Sequence, residues 1–123
     1  MSIQTRGLHE QLRPYADYCL ELAGAYGLRP VITSVFRTWE NQVQLRRKFE
    51  NCVARGRFPS PPDCKYPANR PGDSAHNYGL AWDSWVPADQ MPIWIAIRQA
   101  VGWRVPTNDT IHAELPEWRR YVS

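Results

Sequence analysis

The sequence predicts a single α+β domain, a small and mainly antiparallel sheet with helices packed on it. Three observations predict it. Apolar residues recur at helical spacing in three separate stretches. Short β-branched or aromatic runs stand between and after them, giving the order helix, strand, helix, loop, strand, helix, strand, strand. The 123 residues, 43% of them hydrophobic, suffice for one core and leave no room for a second module. The whole chain, 1–123, is therefore read as one domain, with no separate binding module.

Leu8, Leu12, Tyr15, Cys19, Leu22 and Tyr26 recur at steps of three and four, the stripe of a first amphipathic helix that Gly27 ends, with Pro30 just beyond. Val31 to Phe36 (VITSVF) reads as a strand. Thr38 caps a second helix to about Arg55, with Leu45, Phe49, Cys52 and Val53 inward. From Gly56 to Asp73 the pattern collapses into a long loop holding Pro59, Pro61, Pro62, Pro67 and Pro71. Tyr78 to Val86 reads as an aromatic-rich strand. Pro87 opens a third helix with Trp94, Ile97 and Val101 on one side, and Gly102 ends it. Trp103 to Val105 and Ile111 to Leu115 are expected as short strands. Of the tryptophans, Trp82, Trp85 and Trp94 are assigned to the core, while Trp39, Trp103 and Trp118 are left between core and groove.

Charge and cysteines narrow the class. The net charge of +3 suits an anionic partner such as a cell wall, a membrane surface or nucleic acid. The dense basic run Arg46-Arg47-Lys48 has no interleaved aromatic ladder and reads as a solvated helix face, so nucleic acid is set aside. Three cysteines at irregular spacing make neither a disulfide framework nor a Cys-x-x-Cys zinc pair. Cys19 and Cys52 are read as core residues; a Cys52–Cys64 bridge across the loop is the less favoured reading. The N-terminal MSIQTRGLHEQLRPY lacks the apolar run of a secretory signal, and no stretch approaches the roughly 20 apolar residues of a membrane span. A chain made in the cytoplasm without an integral membrane segment, acting as a monomer, is expected.

His9 sits beside charged residues and reads as a surface residue. His76 lies in PGDSAHNYGLAWDSW, where Gly72 and Gly79 permit tight backbone geometry. Asp83 stands in the middle of an apolar run, where a carboxylate is costly unless paired, hydrogen-bonded or metal-bound. Alone, Asp83 is better explained by a turn cap or an arginine partner, and His76 alone by an equally ordinary role. The set is more telling. Catalytic zinc sites take three ligands from His, Asp or Glu and leave a fourth position to water. His76, Asp83 and His112 supply such a set, and Asp109 is a candidate for the nearby carboxylate that moves the water's proton. Arg37, just past the first strand, could meet a developing oxyanion or a substrate carboxylate.

The string Ser74-x-His76-x6-Asp83 (SAHNYGLAWD) resembles the zinc-ligand motif of the VanY-type D,D-carboxypeptidases and L-alanyl-D-glutamate endopeptidases, most of all their phage endolysin branch. SVFRTWENQVQL (34–45) resembles the family's Ser-x-Tyr-Arg-Ser…Gln segment, and ARGR (54–57) the turn after its second helix. Gly102-Trp103 followed by Asp109-x-x-His112-x-Glu114 is similar to its closing segment. The resemblance covers about residues 31–118. It departs where Phe36 and Thr38 flank the arginine, and where Ile111 and Ala113 flank His112 in place of proline or tryptophan before and an aromatic after.

This resemblance implies the Hedgehog/D,D-peptidase type of α+β fold. It implies Zn2+ on His76, Asp83 and His112, Asp109 as general base, Arg37 as oxyanion stabiliser or substrate anchor, and Ser74 positioning substrate or loop. The implied function is that of an endolysin-like zinc peptidase cutting the stem peptides of bacterial peptidoglycan, at the L-alanyl-D-glutamate bond, after release to the wall. A D,D-carboxypeptidase, with Arg37 or Arg70 taking the terminal carboxylate, is the alternative. So is an inactive zinc-containing module that binds peptidoglycan. A structural zinc site would need Asp109 or Glu114 as a fourth ligand.

Overall fold

A three-stranded antiparallel sheet in the order β1-β2-β3 organises the molecule. The structure, a computed structural model, describes residues 2–55 and 68–122. The strands are β1 (Val31–Ser34), β2 (Ala81–Trp85) and β3 (His112–Glu114), and the helices α1 (Arg13–Ala25), α2 (Trp39–Ala54) and α3 (Met91–Val101). This is the α+β arrangement expected. No described helix is long and apolar enough to cross a membrane.

Strand parity explains the two faces of the sheet. Trp82 and Ser84 share one face of β2 with Ala113 of β3, which is register partner to Trp82. There Trp82 meets the rings of Trp94 and Trp103 edge-on at 5.8 and 5.6 Å, and the Trp94 indole N–H donates to Ser84 Oγ at 2.8 Å. Each such edge-on pair adds about 0.5–1.5 kcal/mol beyond the area it buries. α1 and α3 cover this face, α1 through the small buried residues Ala16, Cys19 and Ala23. Asp83, His112 and Glu114 fall on the opposite parity, and there α2 walls a cleft.

Several expectations are corrected. The first helix begins at Arg13, not near Leu8. Pro14 is tolerated in a first turn but would break a helix already under way. Its buried stripe is accordingly Ala16-Cys19-Ala23, and Tyr15 and Tyr26 are exposed. β1 stops at Ser34, with a register irregularity between Ile32 and Ser34. Tyr78 belongs to a 3-10 turn (Ala75–Tyr78) that precedes β2. Pro87 opens a second 3-10 turn (Ala88–Gln90), and α3 starts at Met91 with Pro92 in its first turn. The Trp103–Val105 strand reduces to one bridge, Arg104 to Glu114. Trp85 is 52% exposed because it shares the parity of Asp83, not of Trp82. Val53, one step past the stripe Gln42-Leu45-Phe49-Cys52, is exposed.

Other expectations hold. Thr38 Oγ1 accepts from the Asn41 amide at 3.1 Å and caps α2, and Gly27 and Gly102 follow α1 and α3 at φ 79° and 119°. His9 is exposed. Cys19 is a buried free thiol, whereas Cys52 is buried and disulfide-bonded, against the simple core reading. Residues 56–67, with Cys64, four of the loop prolines and the end of the ARGR segment, lie outside the described residues.

Candidate metal centre

His76 is delivered by the 3-10 turn between α2 and β2. Ser74 caps the turn, its Oγ accepting from the His76 amide at 3.3 Å. Gly79 closes it at φ 71°, where a Cβ would stand 3.0 Å from the carbonyl oxygen of Gly7. The His76 ring is buried, and its Nδ1–H donates to the Val35 carbonyl at 2.6 Å, which leaves Nε2 as the lone-pair nitrogen. Asp83 is central in β2 and pairs in register with His112, so the two side chains lie side by side. His112 donates Nε2–H to Glu114 Oε1 at 2.7 Å, which turns Nδ1 inward.

Three acceptor atoms thus converge. His76 Nε2 and His112 Nδ1 each lie 3.0 Å from Asp83 Oδ1 and 3.2 Å from one another. Lone pairs so close repel unless a cation sits among them. Without a metal a proton takes that place. Burial opposes charge on His112, but hydrogen bonds to Asp83 and Glu114 outweigh it and push its pKa up to about 9. Burial likewise opposes charge on Asp83, and its hydrogen-bonding contacts with His112 first and His76 second hold it well below the usual carboxylate range. Ligand pairs on a tetrahedral zinc with bonds of roughly 2.0–2.1 Å stand about 3.3 Å apart, so this donor set fits the ion with little movement. Among the described residues these three form the one group with metal-binding geometry.

The centre lies in a cleft of about 480 Å³, which Ser74, Asp109, Arg37, Gln42 and Trp118 also line. Asp109 is held three residues before His112, whose amide donates to the Asp109 carbonyl at 3.0 Å. Its Oδ1 is buried without a hydrogen-bond partner, and burial raises its pKa to about 6. Arg37 does not reach into free space. Its guanidinium donates to Asp83 Oδ2 (3.3 Å), Gln42 Oε1 (2.9 Å) and Ser34 Oγ (3.3 Å).

Neither a family model nor a curated protein matches the sequence. Solved structures do match its shape. A mutant of the vancomycin-resistance D,D-pentapeptidase VanY, in complex with Zn(II), superposes with a TM-score of 0.68 at 20% identity, over 88% of this chain and 72% of that one. VanYB in complex with D-alanine-D-alanine gives 0.69 at 19% identity, over 94% and 75%. The L,D-carboxypeptidase DacB from Streptococcus pneumoniae gives 0.61 at 15% identity, over 98% and 73%. The chain shares the fold of these three structures.

On this D,D-peptidase-type fold, His76, Asp83, His112, Asp109, Arg37 and Ser74 meet in one cleft. Arg70 is exposed and does not line it. Ala113 faces the core, so only Ile111 of the two unusual neighbours of His112 borders the site. Trp118 joins the cleft wall, stacked on Tyr78 at 5.6 Å, while Trp103 is core and Trp39 is exposed. Sequence reasoning missed Gln42 and undervalued Glu114. Gln42 is fully buried, accepts from Arg37 and donates to the Asn69 carbonyl at 2.7 Å. Its place on the inward stripe of α2 was the available signal. Glu114 reaches the outer nitrogen of His112 rather than the inward one, and His-x-Glu on one strand face would have predicted that.

Proposed function

We propose that this chain is a zinc-dependent peptidase of bacterial peptidoglycan, with the ion held by His76 Nε2, Asp83 and His112 Nδ1. The observation that carries the reading is the convergence of those three acceptor atoms within 3.2 Å, in one cleft with the orphaned Asp109 carboxyl. Bound zinc supplies an electrophile for the scissile carbonyl and acidifies a water. Asp109 would take a proton from the attacking water and return it to the leaving amine. Arg37 sets a fixed positive charge beside the cleft for the developing oxyanion, its fork already oriented by Gln42 and Ser34. Ser74 shapes the turn that presents His76. Wall peptides as substrate class are supported by the fold neighbours, one of which holds D-alanine-D-alanine.

Two specificities divide the support. The L-alanyl-D-glutamate endopeptidase and endolysin reading rests on the sequence resemblance. The D,D-carboxypeptidase reading draws equal support from the fold neighbours, which include a D,D-pentapeptidase and an L,D-carboxypeptidase. Purified peptidoglycan incubated with zinc-loaded protein, chelated protein and the Asp109→Asn variant tests the proposal. Only the loaded wild type should release new amino groups, and Asp109→Asn should bind zinc yet lose on the order of 10²–10⁴ in turnover. Mass spectrometry of fragments then names the bond. Tight zinc binding with no release by wild type would overturn the enzyme reading and leave a wall-binding module.

A further inference from the structure

Behind the cleft lies a charge that the proposed chemistry does not use. Arg98 of α3 is completely buried, and no described carboxylate lies within salt-bridge distance of it. An unpaired buried charge is strongly unfavourable unless its donors are satisfied. They are satisfied by carbonyls and a ring. Nη2 donates to the Thr110 carbonyl at 2.7 Å and Nη1 to the His112 carbonyl at 3.5 Å. Nε donates back to Trp94 of the same helix at 3.2 Å, and the guanidinium carbon lies 5.0 Å from the Trp94 ring centroid.

The two outward carbonyls belong to the segment Asp109–His112, which carries both the candidate base and the third ligand. Its other carbonyls are held as well: Asp109 accepts from the His112 amide at 3.0 Å and Ile111 from the Ser84 amide at 2.9 Å. Thr110 and His112 are the positions where the backbone has no ladder partner and a side chain substitutes. A planar fork can serve two carbonyls at once, whereas the single ammonium of lysine cannot match that geometry. The same helix locks β2 through Trp94 and Ser84. α3 thus indexes the Asp83 strand and the Asp109–His112 segment from a common base.

We propose that Arg98 is a positioning residue, whose fork on the Thr110 and His112 carbonyls fixes the Asp109 carboxylate relative to the His112 imidazole. The proposal rests on the reading of His112 as a ligand and Asp109 as the base. It makes Arg98 part of the site's accuracy without contact with substrate or metal.

The test uses the full chain as wild type, Arg98→Lys, which keeps the charge, and Arg98→Met, which keeps the bulk. Amide hydrogen exchange, cobalt(II) affinity with its visible spectrum, and kcat and KM on peptidoglycan are measured for each. In Arg98→Lys, exchange at His112 and at Ser84, whose amides bond the Asp109 and Ile111 carbonyls, should accelerate tenfold or more while the other β1–β2 amides keep wild-type rates. Cobalt affinity should fall about tenfold with an altered spectrum, and kcat should fall at least tenfold with KM within about twofold. Arg98→Met should show the same local pattern, more strongly. Wild-type exchange at His112 and Ser84, or acceleration spread evenly over the sheet, would overturn the proposal and leave Arg98 as core filling. Failure of the underlying reading looks different. Wild type would then bind no cobalt, or bind it equally well as His76→Ala, whatever the exchange pattern at Arg98.

Discussion

Asp83 and Asp109 face one cleft, and their surroundings drive them in opposite directions. Asp83 loses solvent but gains two imidazoles, which hold it ionised, while Asp109 loses solvent and leaves one oxygen unpartnered. Two carboxyls so separated suit two tasks, one as permanent ligand and one as proton carrier. In the metal-free protein burial lifts Asp109 to about 6, so the proposed base is ionised only above that pH. A zinc ion close by would favour the carboxylate, so the acid limb of the loaded protein's pH–rate profile should fall about tenfold per unit and lie at or below pH 6. The sign for stability is opposite. The unfolded chain releases this proton near 3.8 and the folded chain near 6, so the metal-free fold loses stability as pH rises through that window. Asp109→Asn should raise the Tm of metal-free protein above pH 6 by a few degrees, although the loaded variant loses turnover. A Tm unchanged or lowered there would show that burial of the ionised Asp109 carboxylate does not destabilise the fold.

Elements carry the site by parity and by tight turns. The turn that delivers His76 depends on Gly79, whose φ of 71° and 3.0 Å approach to a backbone carbonyl exclude a side chain twice over. Gly27 has a similar φ of 79° but open space around it. Gly79→Ala should thus cost on the order of 2 kcal/mol and Gly27→Ala about 1, read as Tm in thermal melts. Equal losses would mean that the close approach relaxes freely. Helix caps were legible, since Thr38, Gly27 and Gly102 mark ends that local chemistry alone dictates, whereas the first helix's stripe was misplaced because Pro14 delays its start to Arg13. Parity was legible but unused, since Trp82 and Trp85 cannot share a strand face, and His112 and Glu114 must. What no local pattern carries is long-range partnership. The Val35 carbonyl on His76, Gln42 under Arg37 and Arg98 under His112 each join residues far apart or on different elements. Pairing polar groups across a fold depends on packing that periodicity does not encode.

At the scale of the whole molecule, α1 and α3 fill one side of the sheet with rings and small residues, while the other side is left open for chemistry. A chain of 123 residues has a modest core, so a metal that binds only the folded state weighs heavily in its stability. Zinc at about 100 times its Kd should add roughly 2.7 kcal/mol. Calorimetry should record a Tm several degrees higher with zinc than with chelator, and no such difference for His76→Ala. An identical shift in that variant would place the ion elsewhere. The candidate ligand set itself was legible because its chemistry is rare and two members lie in one short string. Its third member was found by elimination among three histidines and by resemblance.

The spacing of those ligands also sets a clock. His76 and Asp83 share the turn and strand of one short segment, but His112 arrives only with β3, the last strand of the sheet. On a ribosome adding about 5–20 residues per second, the nascent chain holds two-thirds of a metal grip for some seconds before the last imidazole emerges. The centre therefore cannot mature ahead of its own sheet, and catalytic competence would be the final event of folding rather than an early one.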